Sequence, residues 1–566
     1  MLKKGKDEEK TVSLESFRKL SKEERRKIRE KRRADEGMPT KMNKYLWFLL
    51  FFAGIVTSFD GWCTATITLA MGNFVRQVDI VQQFDNPDLF TYFGLSGNPV
   101  MMGIILSIAG IGVVAAVSFK YLVDKYGRRP MTLWTAVPFI TFSVLIAFSP
   151  RGSGGLIFFL VCRIIANFFL SADIVTIIVA EESPNHLRGR LVGFVLATNA
   201  IGIATCSVIQ TLGIRVPLLD EWGRSMTTWQ SLFFLTIIGY AFIVPLFIFL
   251  KETKRFTAMK KYEDWRKERG LKPKTGWFVP LQKQYARPMI LSCVVGFLGT
   301  LINFAQVTFS ALYFAKELNL SPKAIGILFI PLVAAGGLAS FIVGSVIDKW
   351  GRISTIHRFG CLTLVGGAIF SWPIVFICGD IANPLITLLV IAGGMLGIFS
   401  LVILAATGAI VGLEMLPTHI RSTAMGWTGA ISRGAMILAP FLMMYGAERL
   451  GGLGLSYQFM FVLMGMPLTV ILFAVYLLAP ESRGRELEEI VSTEIYTKMK
   501  AVDKKKYKEP YFYCLITFIG FFISNNIYGL TTDGNSFIVF LMVAFYGGLS
   551  FICFLLVIYA RKLITE

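Results

Sequence analysis

The sequence predicts an all-α membrane protein that crosses the bilayer many times. Of its 566 residues, 54% are hydrophobic and 17% are charged, whereas soluble globular proteins carry roughly 25% charged residues. Apolar stretches of about 20 residues recur along the chain, and a helix of that length crosses a hydrocarbon core of ~30 Å. These features exclude a disordered chain, a coiled coil and a soluble enzyme with a single anchor.

The chain begins with a charged segment and then alternates apolar spans with loops. Residues 1–42 lack the short apolar core of a signal peptide, so they predict a basic cytoplasmic tail ahead of a span that inserts itself. Fourteen predicted spans follow, which we number in chain order: 43–74, 98–119, 131–149, 155–180, 191–213, 229–250, 286–315, 322–347, 358–379, 384–413, 422–447, 456–479, 510–530 and 536–560.

Most of the 57 Lys and Arg residues fall in loops that share one side of the membrane if the N-terminus is inside. The positive-inside rule then predicts that both termini are cytoplasmic. The net charge of +20 predicts attraction to anionic lipid of the inner leaflet, and nucleic-acid binding is not expected because no folded basic domain accompanies the charge. The cysteines lie in apolar segments and form no Cys/His cluster, so neither a disulfide framework, a metal site nor a cofactor is expected.

The first twelve spans consist of two halves that repeat each other. Three motifs recur in corresponding loops, namely Asp124-Lys-Tyr-Gly127-Arg128 with Asp348-Lys-Trp-Gly351-Arg352, Glu181-x-x-Pro184-x-x-x-Arg188 with Glu414-x-x-Pro417-x-x-x-Arg421, and Glu252…Arg255 with Glu481…Arg485. Parallel six-helix repeats predict two similar bundles with a site between them at the midplane. The predicted units are a basic tail (1–42), a first bundle (43–250), a cytoplasmic loop (251–285), a second bundle (286–480), a cytoplasmic linker (481–509) and an extra pair of spans (510–560).

Two of these segments resemble those of a known family. The loop from Gly344 to Arg352 resembles the signature loop of the major facilitator superfamily, and the run from Pro480 to Glu489 resembles the ending of sugar porters and of related organic cation and anion transporters. The similarity extends over residues 43–490. It implies two six-helix bundles that expose a central site to one side of the membrane at a time, and spans 13 and 14 lie outside that plan.

The repeated charged residues predict a gate at the cytoplasmic face. An aspartate at the end of span 2 can accept hydrogen bonds from a neighbouring helix N-terminus, and Arg128 and Arg352 can reach Glu181 and Glu414. We expect such pairs to hold the outward-open state and to break as the bundles rock apart; alternatively, the basic loop residues only orient the protein. The predicted gate comprises Asp124, Gly127, Arg128, Glu181, Arg188, Glu252, Arg255, Asp348, Gly351, Arg352, Glu414, Arg421, Glu481 and Arg485.

Four charged residues lie deep within predicted spans, where a charge is costly and indicates function: Asp60, Arg163, Asp173 and Arg433. The resemblance implies that spans 1 and 4 are neighbours, and that Asp60 and Arg163 match the proton-coupling Asp and Arg of proton-coupled sugar porters. Proton uptake by Asp60 would then free Arg163 and permit the rocking step, and a permanent structural ion pair is the alternative. Asp173 lies ~15 Å deeper in span 4 and has no assigned role.

The predicted substrate site combines Arg433 in span 11 with a polar row on span 7. Arg433 suits a carboxylate bidentately, and span 11 contains no acidic residue that would favour a cation; snorkelling or an internal ion pair is the alternative. The polar side chains on span 7 either line a solute path or bond a neighbouring helix. The substrate-binding candidates are Asn303, Gln306, Ser310, Tyr313, Arg433 and Asn199.

These observations predict a secondary active transporter in the plasma or inner membrane, not an enzyme, because no nucleophile and base are placed together. It would move a small polar organic solute, with an organic acid favoured, by proton-coupled symport. A sugar:proton symporter is the alternative, although the paired glutamines of sugar porters are missing from span 7. A non-transporting receptor or regulator on the same fold is a further alternative. No catalytic residue is predicted, and the oligomeric state is open.

Overall fold

The described part of the chain is built from helices. The computed structural model describes residues 42–72, 86–95, 98, 100–116, 122–123, 126–170, 172–184, 187–217, 225–253, 256–257, 260, 278–318, 320–371, 384–416, 421–448, 452–465, 467–468, 471 and 475. Within them, eight helices are long and apolar enough to cross a membrane, and two shorter apolar helices accompany them. The tail 1–41, the linker 481–509 and spans 13 and 14 lie outside the described residues.

The continuous spans keep the predicted order with small shifts at their ends. Long apolar runs without internal glycine–proline pairs favour such uninterrupted helices in a membrane, because the helix satisfies its own backbone polar groups. Their bounds are Lys44–Gly72 for span 1, Val100–Ala115 for span 2, Arg128–Ile146 for span 3, Arg188–Leu212 for span 5, Ala286–Lys316 for span 7, Pro322–Trp350 for span 8, Arg352–Ser371 for span 9, Pro384–Glu414 for span 10, Arg421–Ala447 for span 11 and, as far as it is described in one piece, Tyr457–Gly465 for span 12.

Spans 4 and 6 are interrupted, whereas the sequence predicts continuous helices. Span 4 consists of the helices Ser153–Phe168 and Ala172–Glu182. Span 6 consists of Thr228–Phe234, a 3₁₀ turn Leu235–Ile238 and Gly239–Phe249. In that turn the buried Thr236 hydroxyl donates to the Phe233 carbonyl at 2.6 Å, which favours the tighter winding of a 3₁₀ turn.

Close helix contacts at glycines join the first six spans to the last six. Span 2 packs on span 11, span 5 on span 8 and span 1 on span 7. A Cβ atom on Gly110 of span 2 would lie 3.0 Å from the carbonyl oxygen of Met436. A Cβ atom on Gly337 of span 8 would lie 2.7 Å from the Cβ of Ala200. Small residues at these places let the two bundles approach backbone to backbone.

Buried apolar side chains form one core shared by both bundles at one end of the molecule and cores confined to a single bundle at the other. We call the end that carries Gly127 and Gly351 the signature end, and the opposite one the far end. A single cluster that includes Phe90 and Phe309 joins both bundles at the far end. At the signature end, the cluster around Leu49 belongs to the first bundle alone, and a separate one belongs to the second bundle.

Two glycines toward the signature end, on spans 8 and 11, have no neighbour among the described residues. Gly344 lies two turns beyond Gly337 on the same face of span 8, yet a Cβ atom added to it would meet none of the described atoms within 4 Å. Gly426 lies three turns before Ile437 on the face of span 11 that packs on span 2, and its Cβ position is equally open. At the signature end, the described residues of the two bundles thus form separate apolar cores and make no contact at these two positions.

Large apolar side chains cover much of the outer surface. Trp47, Phe51, Trp134 and Phe247 expose at least 60% of their surface. Apolar exposure on this scale is unfavourable in water but suits contact with lipid. The exterior thus agrees with the membrane location that the span lengths predict.

Candidate functional site

Asp60 lies where span 1 packs unusually closely on span 5. A Cβ atom on Gly61 would lie 2.1 Å from the carbonyl oxygen of Asn199, and one on Gly202 would lie 1.7 Å from that of Ser58. The close approach brings the Asn199 side-chain amide to the Asp60 carboxylate. Its Nδ2 donates a long hydrogen bond of 3.4 Å to Asp60 Oδ2. Asn199, predicted as a substrate ligand, therefore stands beside the predicted proton site.

Arg163 is buried on the first helix of span 4 and reaches span 1. Its Nη2 donates to the carbonyl oxygen of Cys63 at 3.3 Å, and its guanidinium carbon lies 5.9 Å from the centre of the Phe233 ring. Cys63 follows Asp60 by three residues, and the Asp60 carboxylate acts electrostatically on the guanidinium. Arg163 thus contacts span 1 within one turn of Asp60.

A small cavity borders the Asp60 carboxylate. Its volume is ≈ 40 Å³, and its walls come from spans 1, 3 and 6 and from Leu170 at the break in span 4. Asp60 is the one polar residue among those that line it. A water molecule needs polar partners as well as roughly 10–15 Å³ of space, so this apolar cavity leaves room beside Asp60 without being a water site of its own.

Two residues of the predicted span 7 row are part of the far-end core. Ser310 is buried and donates to the Val307 carbonyl at 3.0 Å. Tyr313 is fully buried, donates to the Phe370 carbonyl at 3.3 Å and packs on the ring of Phe461 at a centroid distance of 5.7 Å. The Tyr313 side chain therefore binds span 7 to its neighbours in the second bundle, whereas the Ser310 hydroxyl is satisfied within span 7.

The other two residues of the row are Asn303 and Gln306, whose side-chain amides take no part in the contacts of Ser310 and Tyr313. Gln306 is buried, and its Nε2 has no hydrogen-bond partner among the described residues. A Cβ atom on Gly397 of span 10 would lie 3.0 Å from that nitrogen, so the glycine leaves space for the amide. Asn303, one turn earlier on span 7, is half-buried. An unpaired buried donor is costly and is satisfied when a ligand oxygen reaches it.

Arg433 lies on span 11 near the face that packs on span 2. Met436, three residues later, touches Gly110 of span 2, whereas a Cβ atom on Gly426, two turns earlier, would meet none of the described atoms within 4 Å. Arg433 is half-buried between these two points.

Glu252 caps the N-terminus of span 3 at the signature end. Its Oε1 accepts from the Arg128 amide at 3.0 Å, and its Oε2 accepts from the Arg129 amide at 3.2 Å. Gly127 precedes the helix with φ 110° and ψ 162°, a conformation essentially confined to glycine. A carboxylate at this place satisfies amides that the helix leaves unpaired and faces the positive end of its dipole.

The Arg128 side chain and Glu181 form the ion pair that the repeat predicts. Arg128 Nη2 lies 3.0 Å from Glu181 Oε1, and Thr253 Oγ1 donates to Glu181 Oε2 at 2.6 Å. The Phe256 ring covers the guanidinium, with its centre 4.8 Å from the Arg128 Cζ. All four residues belong to the first bundle and its exit loop, so the pair lies within that bundle.

The corresponding turn of the second half has the same backbone form. Gly351 joins spans 8 and 9 with φ 86° and ψ 165°, close to the values at Gly127. Asp124, Arg255, Glu481 and Arg485 lie outside the described residues. The backbones of further predicted residues are helical, but their side chains are not among those described: Asp173, Arg188, Asp348, Glu414 and Arg421.

Sequence reasoning missed Thr253 and Phe256, which complete the contacts of Arg128 and Glu181. The sequence signal that could have found them is their place within four residues after Glu252 in the same loop. Among the described residues, no group of three or more His, Cys, Asp or Glu side chains could hold a metal ion.

Comparison with known proteins identifies the family. A family model described as "Sugar (and other) transporter" matches residues 46–493. The chain belongs to this family. The transporter is 24% identical over 453 residues to the "Probable 4-methylmuconolactone transporter" of Cupriavidus pinatubonensis, a match that covers 78% of this chain and 92% of that protein. It is 23% identical over 392 residues to mouse solute carrier family 22 member 4, with 65% of each chain covered.

Solved structures show the same fold. The xylose transporter XylE from E. coli, in a partially occluded inward-open conformation, aligns with a TM-score of 0.56 at 16% identity and covers 78% of this chain and 100% of its own. A second XylE structure, described as that of a proton:xylose symporter, gives a TM-score of 0.55 at 17% identity, with 78% and 98% covered. The protein is therefore a multi-pass transporter of the major facilitator superfamily, and not an enzyme.

Proposed function

We propose that the transporter moves a small organic anion together with protons, by alternating access of a central site. The observation that carries this proposal is the position of Arg433, half-buried on span 11 near the face that packs on span 2, and we infer that a cleft between the bundles begins beside it. A cation on the wall of the cleft attracts an anionic solute, and a guanidinium binds a carboxylate through two parallel hydrogen bonds.

Span 7 supplies the remaining contacts of the proposed substrate site. A Cβ atom on Gly434 would lie 3.8 Å from the Phe297 ring, so Arg433 stands level with the first half of span 7. Asn303 lies about 9 Å further along that helix, and Gln306 one turn beyond it. The orphaned Gln306 Nε2 and the Asn303 amide would hydrogen-bond the polar part of a solute whose carboxylate rests on Arg433.

Asp60 and Arg163 form the proposed proton site. A buried carboxylate stays ionised while a guanidinium is near and takes up a proton when that guanidinium withdraws. Arg163 already bonds a main-chain carbonyl of span 1, so it has an alternative partner when Asp60 is neutral. Asn199, which hydrogen-bonds Asp60, is assigned to this site because it can donate to the ionised form and accept from the protonated one.

The signature-end residues form the proposed gate. Glu252, Glu181 and Arg128 tie the exit loop of the first bundle to spans 3 and 4. We propose that these three residues hold the signature end of the first bundle rigid and that the second bundle closes against it. The matching residues of the second half would lie on the facing surface of the second bundle. The remaining residues of the predicted gate are assigned by the repeat: Asp124, Arg188, Arg255, Asp348, Arg352, Glu414, Arg421, Glu481 and Arg485.

The membrane orientation follows from charge. The excess of Lys and Arg in the loops of the signature end supports a plasma or inner membrane protein whose signature end and both termini are cytoplasmic. On this assignment the cleft faces the cytoplasm, and the basic tail and linker face anionic lipid. The six predicted units, including the extra spans at 510–560, are kept as proposed boundaries.

Sugar:proton symport is the second candidate, favoured by the structural likeness to XylE, a xylose transporter. Uptake into proteoliposomes under an imposed pH gradient distinguishes the two, with labelled benzoate, lactate and succinate as one panel and xylose and glucose as the other. We expect uptake from the carboxylate panel. Uptake of sugars alone would favour the second candidate, and the absence of any flux would favour a receptor or regulator on this fold.

Arg433 variants test the anion site directly. Loss of a charge-assisted hydrogen-bond pair removes about 1.5–3 kcal/mol, so we expect Arg433→Gln to raise KM for the transported carboxylate by about 10- to 100-fold, with Arg433→Lys in between. Lys323→Gln removes a charge from an exposed position on span 8 and serves as the control. An unchanged KM in Arg433→Gln would exclude Arg433 from substrate binding.

A further inference from the structure

A second group of buried charged residues lies at the far end, away from the proposed substrate and proton sites. Lys316 ends span 7 and forms an ion pair with Glu448, which follows span 11. Tyr457, the first residue of span 12, donates its hydroxyl to the same carboxylate oxygen, and its amide donates to Glu317 Oε1 at 3.1 Å. These contacts fix the Lys316 ammonium within the second bundle.

The segment 86–95 lies opposite this group and is fastened to the first bundle. Asn86 exchanges two hydrogen bonds of 2.9 Å with Thr228 at the start of span 6. The Tyr92 hydroxyl donates to the Ser149 carbonyl at 2.8 Å and accepts from Gln230 Nε2 at 3.1 Å. The segment therefore moves with spans 3, 4 and 6.

Lys316 meets this segment across the boundary between the bundles. Its Nζ lies 5.9 Å from the centre of the Phe90 ring and at the same distance from that of Tyr457. Phe90 and Asp88 are both buried. Burial raises the pKa of the Asp88 carboxyl, while hydrogen bonds from Thr91 and the charge of Lys316 act in the opposite direction. The Lys316 ammonium is thus held between the rings of Phe90 in the first bundle and Tyr457 in the second, close to Asp88 of the first bundle.

We propose that Lys316, positioned by Glu448 and Tyr457, closes the far end of the transporter by binding the Phe90 face of the first bundle. Ammonium–aromatic contacts are attractive and strengthen when they are shielded from water. Of the contacts of Lys316 given above, the one with Phe90 joins the second bundle to the first, and these parts separate when the far end opens. Glu448 and Tyr457 stay with Lys316 throughout, so they act as positioning residues. The inference rests on alternating access but not on the substrate or on protons.

The test is the rate at which a thiol becomes accessible at the far-end seam. Ser107 of span 2 is buried, and its hydroxyl accepts from the Phe441 amide of span 11 at 3.1 Å, so Ser107→Cys reports opening of the seam. Modification of the introduced thiol by a membrane-impermeant methanethiosulfonate is followed by mass spectrometry of the peptide that contains it. The assay contains neither solute nor pH gradient, so its outcome is independent of the proposed function.

The prediction concerns variants of Phe90 and of Lys316, each made in the Ser107→Cys background. Phe90→Leu keeps an apolar side chain and removes the ring, and Lys316→Met removes the charge. We expect each to increase the modification rate about two- to thirtyfold, the range that corresponds to a cation–π contact, and the double variant to show no further increase. Lys316→Arg retains the cation and is expected to react like the parent.

The matched control is Phe93→Leu, three residues further along the same segment. Phe93 packs within the first bundle on Phe159 and Trp229, at centroid distances of 5.4 and 5.9 Å. This variant has a structural cost but no contact with Lys316, so its rate of thiol modification should equal that of the parent. Equal rates in Phe90→Leu and Phe93→Leu, or additive effects of Phe90→Leu and Lys316→Met, would overturn the proposal.

Discussion

Replacing Gly127 by alanine perturbs the signature end at a single defined point. The φ of 110° with ψ of 162° lies in a region that is essentially confined to glycine, and a residue forced into such a region costs of the order of 1–3 kcal/mol. The new Cβ atom would also lie 2.4 Å from Glu252 Oε2, so the carboxylate must leave the N-terminus of span 3. Loss of a capping side chain costs about 0.5–2 kcal/mol.

Together these terms predict that Gly127→Ala destabilises the start of span 3 by about 1.5–5 kcal/mol. Since 1.4 kcal/mol is tenfold in an equilibrium constant, the amides of Arg128 and Arg129 should exchange with deuterium at least about 10 times faster. Hydrogen exchange with mass spectrometry on a peptide that covers 126–133 measures this. Gly154→Ala is the control, because its Cβ would meet no atom of the described chain within 4 Å. Unchanged exchange in Gly127→Ala, or an equal increase in the control's own peptide, would refute the reasoning.

Two further variants test the packing of the bundles. Thr253→Ala removes the 2.6 Å hydrogen bond to Glu181 and should lower stability by about 1 kcal/mol, seen as a lower unfolding temperature in detergent; no change would mean that the bond contributes nothing. Gly202→Ala would place a Cβ atom 1.7 Å from the Ser58 carbonyl oxygen, so folded protein should be largely lost in size-exclusion chromatography. Gly344→Ala, whose Cβ position is open among the described residues, should give normal yield, and equal yields of the two would contradict the packing.

The sequence predicts most of the helical framework because its physical cause is local. A run of apolar residues specifies a span whatever surrounds it, and the repeated motif places Gly127 and Gly351 at equivalent turns. Arg128 and Glu181 could be paired from the repeat as well. The interruption of span 4 was not predictable in this way, since no glycine or proline marks Phe168 to Ser171.

Contacts between residues far apart in the sequence were the part of the site that was hardest to predict. Lys316 and Glu448 are 132 residues apart, and neither belongs to a recognisable motif. The main-chain carbonyl of Cys63, which accepts from Arg163, has no signature in the sequence because every residue carries one. Asn199 could be recognised as a polar residue within a span, but its place beside Asp60 required the packing of spans 1 and 5.

The most direct test of proton-coupled transport compares the wild type with Asp60→Asn in proteoliposomes, using the panel solute with the highest uptake. We predict that the wild type concentrates the labelled solute when the outside is made acidic. Asp60→Asn should still exchange the solute between equal pools, because the substrate site is intact, but it should not concentrate it. Asp60→Glu, which keeps a carboxyl beside the cavity, should recover part of the accumulation. If Asp60→Asn concentrates the solute as the wild type does, coupling does not pass through Asp60.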